Sequence, residues 1–171
     1  MSSPIGPSAS ARRLQRSHGR VNQTDERAAD SYRAASRMLD DLGLAAALRW
    51  QIGEYEKHTK LGLHLDTPNP DIAIDRERGL ALFRIFQETV TNVARHAKAT
   101  NAWIGLAQTD RAYVLTVRDD GDGVSEEDLR KPMSHGVRGM RERAQHFGGN
   151  LSVSSTSEGT TVVVTIPKQN P

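Results

Sequence analysis

Hydrophobic and polar positions alternate in clearly different ways along this chain, and the period changes from one stretch to the next. From Asp25, Ala28, Tyr32, Ala35 and Leu39 recur at steps of four, three and four, which predicts a helix from about Glu26 to Leu39 capped by Asp25 or Thr24. Its alanine-rich stripe is thin. A break over Met38 to Leu44 leads to a second predicted helix, about Ala45 to Thr59, with Leu48, Ile52 and Tyr55 on one side. Leu61 to Asp66 alternates like a half-buried strand and stops before Pro68 and Pro70. From Arg76 to Lys98 lies the strongest helical pattern, in which Phe83, Phe86, Val90, Val93 and Ala97 fall within about 80° of one another at 100° per residue.

Two strands come next, about Ala102 to Ala107 and Ala112 to Arg118, joined by Gln108 to Arg111 as a hairpin. The stretch from Val124 to Gly136 has no core-forming pattern and reads as a mobile cover. A helix is then expected from about Met140 to Phe147, with Gly136 and Gly139 before it and free backbone N–H groups at its start. Gly148 and Gly149 end that helix, and strands are expected at Leu151 to Ser155 and Thr160 to Ile166. This order predicts an α+β fold, a two-layer α/β sandwich with helices on one face of a mixed sheet.

Composition alters this picture only at the amino terminus. The first 24 residues hold Arg12, Arg13, Arg16 and Arg20, no acidic residue, and several prolines, glycines and serines, so they read as a disordered basic tail. The net charge of +2 therefore belongs to the tail. A basic arm can touch nucleic acid or a membrane, but this one has no aromatics for stacking, so no nucleic-acid partner is expected. An Arg- and Ser-rich start also resembles an organelle transit peptide. There is no cysteine, which excludes a disulfide framework and thiolate chemistry. No apolar run approaches the roughly 18 residues of a membrane helix, and a cytoplasmic chain without a membrane segment is expected.

Two clusters carry candidate chemistry. Arg118-Asp119-Asp120-Gly121-Asp122-Gly123-Val124 directly follows a strand, where ligands of α/β sheets commonly bind, and its glycines let a ligand approach the main chain. An acidic hairpin turn is the plain alternative. An EF-hand calcium loop fails, because Gly123 at its sixth position would put Arg118 and Leu129 where acids are required. The second cluster is the line Glu88, Asn92 and His96, four residues apart on the face opposite the apolar stripe. Such a line commonly faces water, yet a carboxylate, an amide and an imidazole could together hold a hydrated metal and phosphate.

Three separated strings, Glu88 to Ala97, Asp119 to Gly123, and His135-Gly136-Val137-Arg138-Gly139-Met140-Arg141-Glu142-Arg143, resemble in order and spacing the asparagine box and two glycine boxes of the ATP-binding domain of two-component sensor histidine kinases. That domain belongs to the wider GHKL, or Bergerat, group that includes gyrase and MutL. The Gly139 to Arg143 string and Leu39 to Leu44 look specifically like the nitrate-sensor-type subfamily, so the resemblance covers about residues 39 to 168. It implies a helical remnant of the dimerisation region over 25 to 44 and a catalytic domain over 45 to 168.

The resemblance also implies roles. Asp119 would accept from the adenine amino group beside Gly121 and Gly123. Asn92 would ligate Mg²⁺, and Glu88 would orient or deprotonate a polar group near the γ-phosphate. Arg95 and His96 would lie near the phosphates, Gly136 and Gly139 would contact the phosphate chain, Thr160 would sit near the base, and Val124, Val137 and Met140 would line the nucleotide. Such roles suit phosphoryl transfer, which needs positioning and charge neutralisation more than covalent help. The expected partners are ATP, a response regulator or a histidine-bearing dimerisation domain, and, in a full-length context, a second copy.

The sequence departs from the family in its phosphoacceptor. Before residue 50 the only histidine is His18, followed by glycine and not by an acid. The acceptor is therefore expected elsewhere, and autophosphorylation of this chain alone is not expected. An anti-sigma-factor-type serine/threonine kinase and a non-catalytic docking module share the fold expectation.

Overall fold

A computed structural model describes residues 33–34, 36–123 and 135–168, and residues from Met38 onward form one compact unit. Within it helix α1 covers 38–56, followed by strand β1 (Gly62–Asp66) and helix α2 (Arg76–Asn92), which continues as a π turn over Val93–Ala97. Strands β2 (Asn101–Gln108) and β3 (Ala112–Asp119) come next, then helix α3 (His135–His146) and strands β4 (Asn150–Thr156) and β5 (Gly159–Pro167). The expected order of elements holds wherever the chain is described. The basic tail and most of the helix expected from Glu26 lie outside the described residues.

The five strands lie in the order β1-β2-β3-β5-β4, with β1 and β2 parallel and every other pair antiparallel. The mixed sheet results from the connections. A crossover through α2 returns β2 parallel to β1, whereas the short link at residues 109–111 forces β2 and β3 to run antiparallel. Leu63, Ala102, Ile104, Leu106, Leu115, Val117, Val162, Val164, Ile166 and Leu151 alternate along their strands and are all buried, so one face of the sheet carries the core. On the other face His64, Trp103 and Arg118 stand in register across three strands, with Trp103 exposed.

Asp75 caps α2 by accepting from the Arg78 amide at 3.0 Å, which fixes where the helix starts. Arg78 then reaches the carbonyl of Pro167 at 2.9 Å and joins the start of α2 to the end of β5. The apolar stripe is broader than its periodicity suggests. Leu82, Ile85 and Thr89 are buried along with Phe83, Phe86, Val90 and Val93, because α2 packs against both the sheet and α3. Removing either phenylalanine ring would cost roughly 3–5 kcal/mol in cavity and transfer terms.

Three boundaries differ from expectation. The break at Met38 to Leu44 is reduced to a left-handed backbone at Gly43 (φ 82°) within a helix otherwise continuous to residue 56, three short of Thr59. The long helix does not stay α-helical to Lys98: it widens to π at Val93 and closes on Lys98 in the left-handed region (φ 53°). Finally, α3 begins at His135 and not near Met140, so Gly136 and Gly139 stand inside it. Glycine lowers helix propensity without forbidding a helix, and here tertiary packing overrides it.

Candidate functional site

Asp119 is the last residue of β3 and only 2% exposed. Its Oδ1 accepts from the Gly121 amide at 2.9 Å and from the Thr160 amide at 3.2 Å. Alternation along the strand turns this carboxylate inward with Val117 and Leu115, and the two amides fix its direction. The residues after it do not form a hairpin, because the next strand beside β3 is β5, which begins 40 residues on at Gly159. The acidic run therefore leaves the sheet as an opening and does not turn back on β3.

The glycines are explained by close backbone approach. A Cβ on Gly121 would collide with the Ala97 carbonyl oxygen at the end of the π turn, and one on Gly123, where φ is 73°, would collide with the Thr156 carbonyl. The other two acids of the run have structural partners that sequence reasoning did not assign. Asp120 accepts from the Thr100 and Asn101 amides at 2.7 and 2.8 Å and from Asn101 Nδ2 at 3.0 Å. These bonds, the Asn101 amide first, hold its carboxyl below the usual aspartate range. Asp122 pairs with Lys98 at 2.8 Å, while its amide donates to the Ala97 carbonyl at 2.9 Å. Alternating sequence neighbours thus serve the opening and its support.

On α2, Glu88 and Asn92 remain one turn apart and are half-buried, and Asn92 makes no capping bond with its side chain. The expected line does not continue to His96. The π turn inserts a wider turn after Asn92, so Arg95 and His96 sit on a different helical geometry and are exposed. The Glu88 carboxylate lies against Gly136 closely enough that a Cβ there would collide with it, which brings the first turn of α3 beside α2. Val137 and Met140 are buried, with Thr89 Oγ1 at 3.3 Å from Met140 Sδ, while Gly139 stands in the second turn of α3. Thr160 lies beside Asp119, its hydroxyl 3.3 Å from that of Ser155. Val124 lies outside the described residues.

Behind α2, Tyr55 of α1 has its hydroxyl 2.9 Å from Thr91 Oγ1 and 3.3 Å from the Gln87 carbonyl. Burial pushes this hydroxyl's pKa up, with the Thr91 bond and Arg95 acting in the opposite sense and Glu88 adding to the rise, so it stays protonated near neutral pH. No spacing rule points to this contact, since it depends on how two helices face each other.

The arrangement has two characters. The end of β3 offers a buried carboxylate and close backbone, suited to a polar planar group, while α2 and its π turn offer oxygen donors and the exposed Arg95 guanidinium, suited to anions. Among the described residues no group of three or more His, Cys, Asp or Glu is placed to hold a metal ion. The hard oxygen donors that α2 brings to this region are those of Glu88 and Asn92, a set suited to a cation that keeps most of its ligands as water or phosphate.

Residues 77–170 match the family described as histidine kinase-, DNA gyrase B-, and HSP90-like ATPase. The chain is 36% identical over 142 residues to the signal transduction histidine-protein kinase/phosphatase UhpB of Salmonella typhimurium, covering 80% of this chain and 27% of that protein. It is 33% identical over 127 residues to the nitrate/nitrite sensor protein NarQ of Escherichia coli, covering 73% and 22%. The chain thus spans about a quarter of the length of these relatives. The Erythrobacter litoralis blue-light activated histidine kinase shares the fold, with a TM-score of 0.69 at 18% identity over 98% of this chain and 62% of that one. The catalytic domain of the histidine kinase ThkA aligns with a TM-score of 0.58 at 16% identity over 75% and 93%. The chain therefore belongs to the histidine kinase-, DNA gyrase B-, and HSP90-like ATPase family, and the relatives it matches are sensor histidine kinases.

Proposed function

We propose that this domain binds Mg-ATP and transfers the γ-phosphate to a histidine on a dimerisation domain, supplied by another chain or by sequence outside the described domain. The observation that carries the reading is the placement of Asp119, buried at the strand end beside Gly121, with Glu88 and Asn92 half-buried on the neighbouring helix. Asp119 would accept from the adenine amino group, with Thr160 beside the base. Asn92 fits Mg²⁺, which when bound neutralises phosphate charge. Arg95 and His96 on the π turn, and the first turn of α3 at Gly136, would receive the phosphate chain; Gly139 is near enough to contribute through its backbone. Val137 and Met140 would contribute apolar wall, and Val124 would border the base.

Glu88 would take up or orient the proton of the accepting imidazole, a general-base task for a half-buried carboxylate. A response regulator would receive the phosphate in turn. No helix among the described residues is long and apolar enough to cross a membrane. Use of ATP would place the domain in the cytoplasm.

The test is titration of the purified chain with ATP, with and without Mg²⁺, beside Asp119→Ala. Saturable, Mg-strengthened binding that the variant loses supports the reading, and equal binding by the variant refutes it. Incubation of the loaded protein with a histidine-bearing helical domain should yield an acid-labile phosphoprotein. Acid-stable phosphate would instead assign transfer to serine or threonine.

A further inference from the structure

Two residues one turn apart on α1 grip two residues one turn apart on α2. Gln51 Oε1 accepts from Gln87 Nε2 at 3.0 Å, and Tyr55 meets Thr91 and the Gln87 carbonyl. Proton accounting orders these bonds. Thr91 spends its single hydroxyl proton on the Gln87 carbonyl at 2.7 Å, so the Tyr55 proton goes to Thr91 Oγ1, with the Gln87 carbonyl as a longer second acceptor. Gln87 immediately precedes Glu88, and Thr91 immediately precedes Asn92.

The helix changes character just beyond this grip. Thr89 and Thr91 both return their hydroxyls to the carbonyl four residues back, at 2.8 and 2.7 Å, a bond that loosens and bends helices. The Val93 amide is then shared between the carbonyls of Thr89 and Val90, and the chain runs on as a π turn to Ala97. Helices kink or widen where their ladder is perturbed, and the Tyr55 hydroxyl from α1 touches it at the Gln87 carbonyl and at Thr91 Oγ1, itself bonded to that carbonyl.

We propose that Tyr55 is a positioning residue: through Thr91 and Gln87 its hydroxyl fixes where α2 turns from α to π, and so aims Asn92, Arg95 and His96 at the metal and phosphates. The proposal rests on the Mg-ATP reading above. It also makes α1 the element through which a displacement arriving along the chain would reach the phosphate side without touching Asp119, which bonds to residues of the loop after β3 and of β5.

Tyr55→Phe keeps the ring and deletes the hydroxyl, Thr91→Val deletes its acceptor, and Thr91→Ser keeps it. Hydrogen exchange of the full chain without nucleotide reads the geometry, and ATP affinity with and without Mg²⁺ reads the consequence. In Tyr55→Phe and Thr91→Val, amides at 93–97 should exchange roughly 5-fold faster, the loss of one net hydrogen bond, while those at 81–86 stay as in the parent. The gain in ATP affinity on adding Mg²⁺ should shrink about 3- to 10-fold, affinity without Mg²⁺ should stay within about 2-fold, and Thr91→Ser should behave as the parent. Unchanged exchange at 93–97, or an intact Mg²⁺ gain, overturns the proposal. So does an equal loss of affinity with and without Mg²⁺, which marks a merely structural tyrosine. If the parent chain itself binds no ATP, the Mg-ATP reading fails and takes the proposal with it; a parent that binds beside an indistinguishable Tyr55→Phe sinks the proposal alone.

Discussion

The end of β3 and the exposed end of α2 are built from different materials. Around Asp119 backbone is laid on backbone: the carboxylate takes two main-chain amides, Gly121 lies on the Ala97 carbonyl, and Gly123 on the Thr156 carbonyl. Along α2 the groups of interest are side chains, half-buried at Glu88 and Asn92 and exposed at Arg95 and His96, aimed by a turn that side-chain hydrogen bonds from α1 support. The first end is held by main-chain bonds of its own, an arrangement that lowers the ordering cost of binding. The second rests on side-chain torsions, which the proposed phosphoryl transfer would use.

The sharpest way to break this contrast is to exchange the roles. Asp119→Ala should abolish measurable ATP binding and also destabilise the fold, because two amides lose their acceptor at about 1–3 kcal/mol each where they are buried. Glu88→Gln should leave ATP affinity within about 3-fold while lowering phosphotransfer roughly 100-fold or more, the usual contribution of a general base. Calorimetric titration and a transfer assay on the same preparations decide it. If Glu88→Gln loses binding as Asp119→Ala does, the two ends are not separable.

Alanine at two glycines sharpens the comparison at the next magnitude. Gly121→Ala sets a methyl group against a backbone carbonyl that cannot swing away, and should cost about 1–3 kcal/mol in urea denaturation, in the range of overpacking. Gly136→Ala meets only the end of the Glu88 side chain, and within α3 it gains roughly 0.5–1 kcal/mol of helix propensity. Its stability should therefore be equal or slightly raised while transfer falls, because the Glu88 carboxylate is displaced. Equal destabilisation by both would show that the phosphate side is as rigid as the base side.

These regions also differ in how far the sequence exposes them. Period-two alternation places the strands within a residue or two, and the Asp119 to Gly123 string announces an opening at a strand end. Those signals are local, so they survive in one dimension. The line Glu88, Asn92, His96 is legible only to Asn92, since a wheel of fixed pitch cannot show where a helix widens. The threonines at 89 and 91 are the available hint. Asp120 and Tyr55 are opaque for another reason: their partners, Asn101 and Thr91, lie 19 and 36 residues away, and only the folded sheet and helix pair bring them together. Propensity alone starts α3 too late, because Gly136 and Gly139 look like breaks in a string of letters, whereas α3 as a whole packs on α2, with Gly136 against Glu88, and carries both glycines as helix.

Asp120 offers a smaller effect that belongs to the base side alone. Its folded-state pKa is depressed by the bonds from Asn101 and Thr100, so its stabilising contribution is fully present above the ordinary aspartate value of 3.8 and is lost as pH falls through the lower folded value. Thermal midpoints should fall more steeply below about pH 4 in the parent than in Asp120→Asn, which keeps an acceptor but does not titrate. Parallel curves would remove Asp120 from the support of β2.

The smallest expected change lies where the two regions join. Lys98 ends the π turn with a left-handed backbone, a conformation that glycine adopts freely and lysine does not, and it pairs with Asp122 across the loop. Both side chains of that pair are well exposed, so water and salt screen it and little is lost with it. Backbone relief should therefore outweigh the missing ion pair, even after glycine's larger unfolded-state freedom is counted, and Lys98→Gly should raise the thermal midpoint by roughly 1–3 °C. Lys98→Ala keeps the strain, forfeits the pair, and should lower the midpoint slightly. If Lys98→Gly is instead less stable than the parent, the Lys98–Asp122 contact, and not the backbone turn, holds the phosphate-side helix to the base-side loop; raising the salt concentration should then erase the difference.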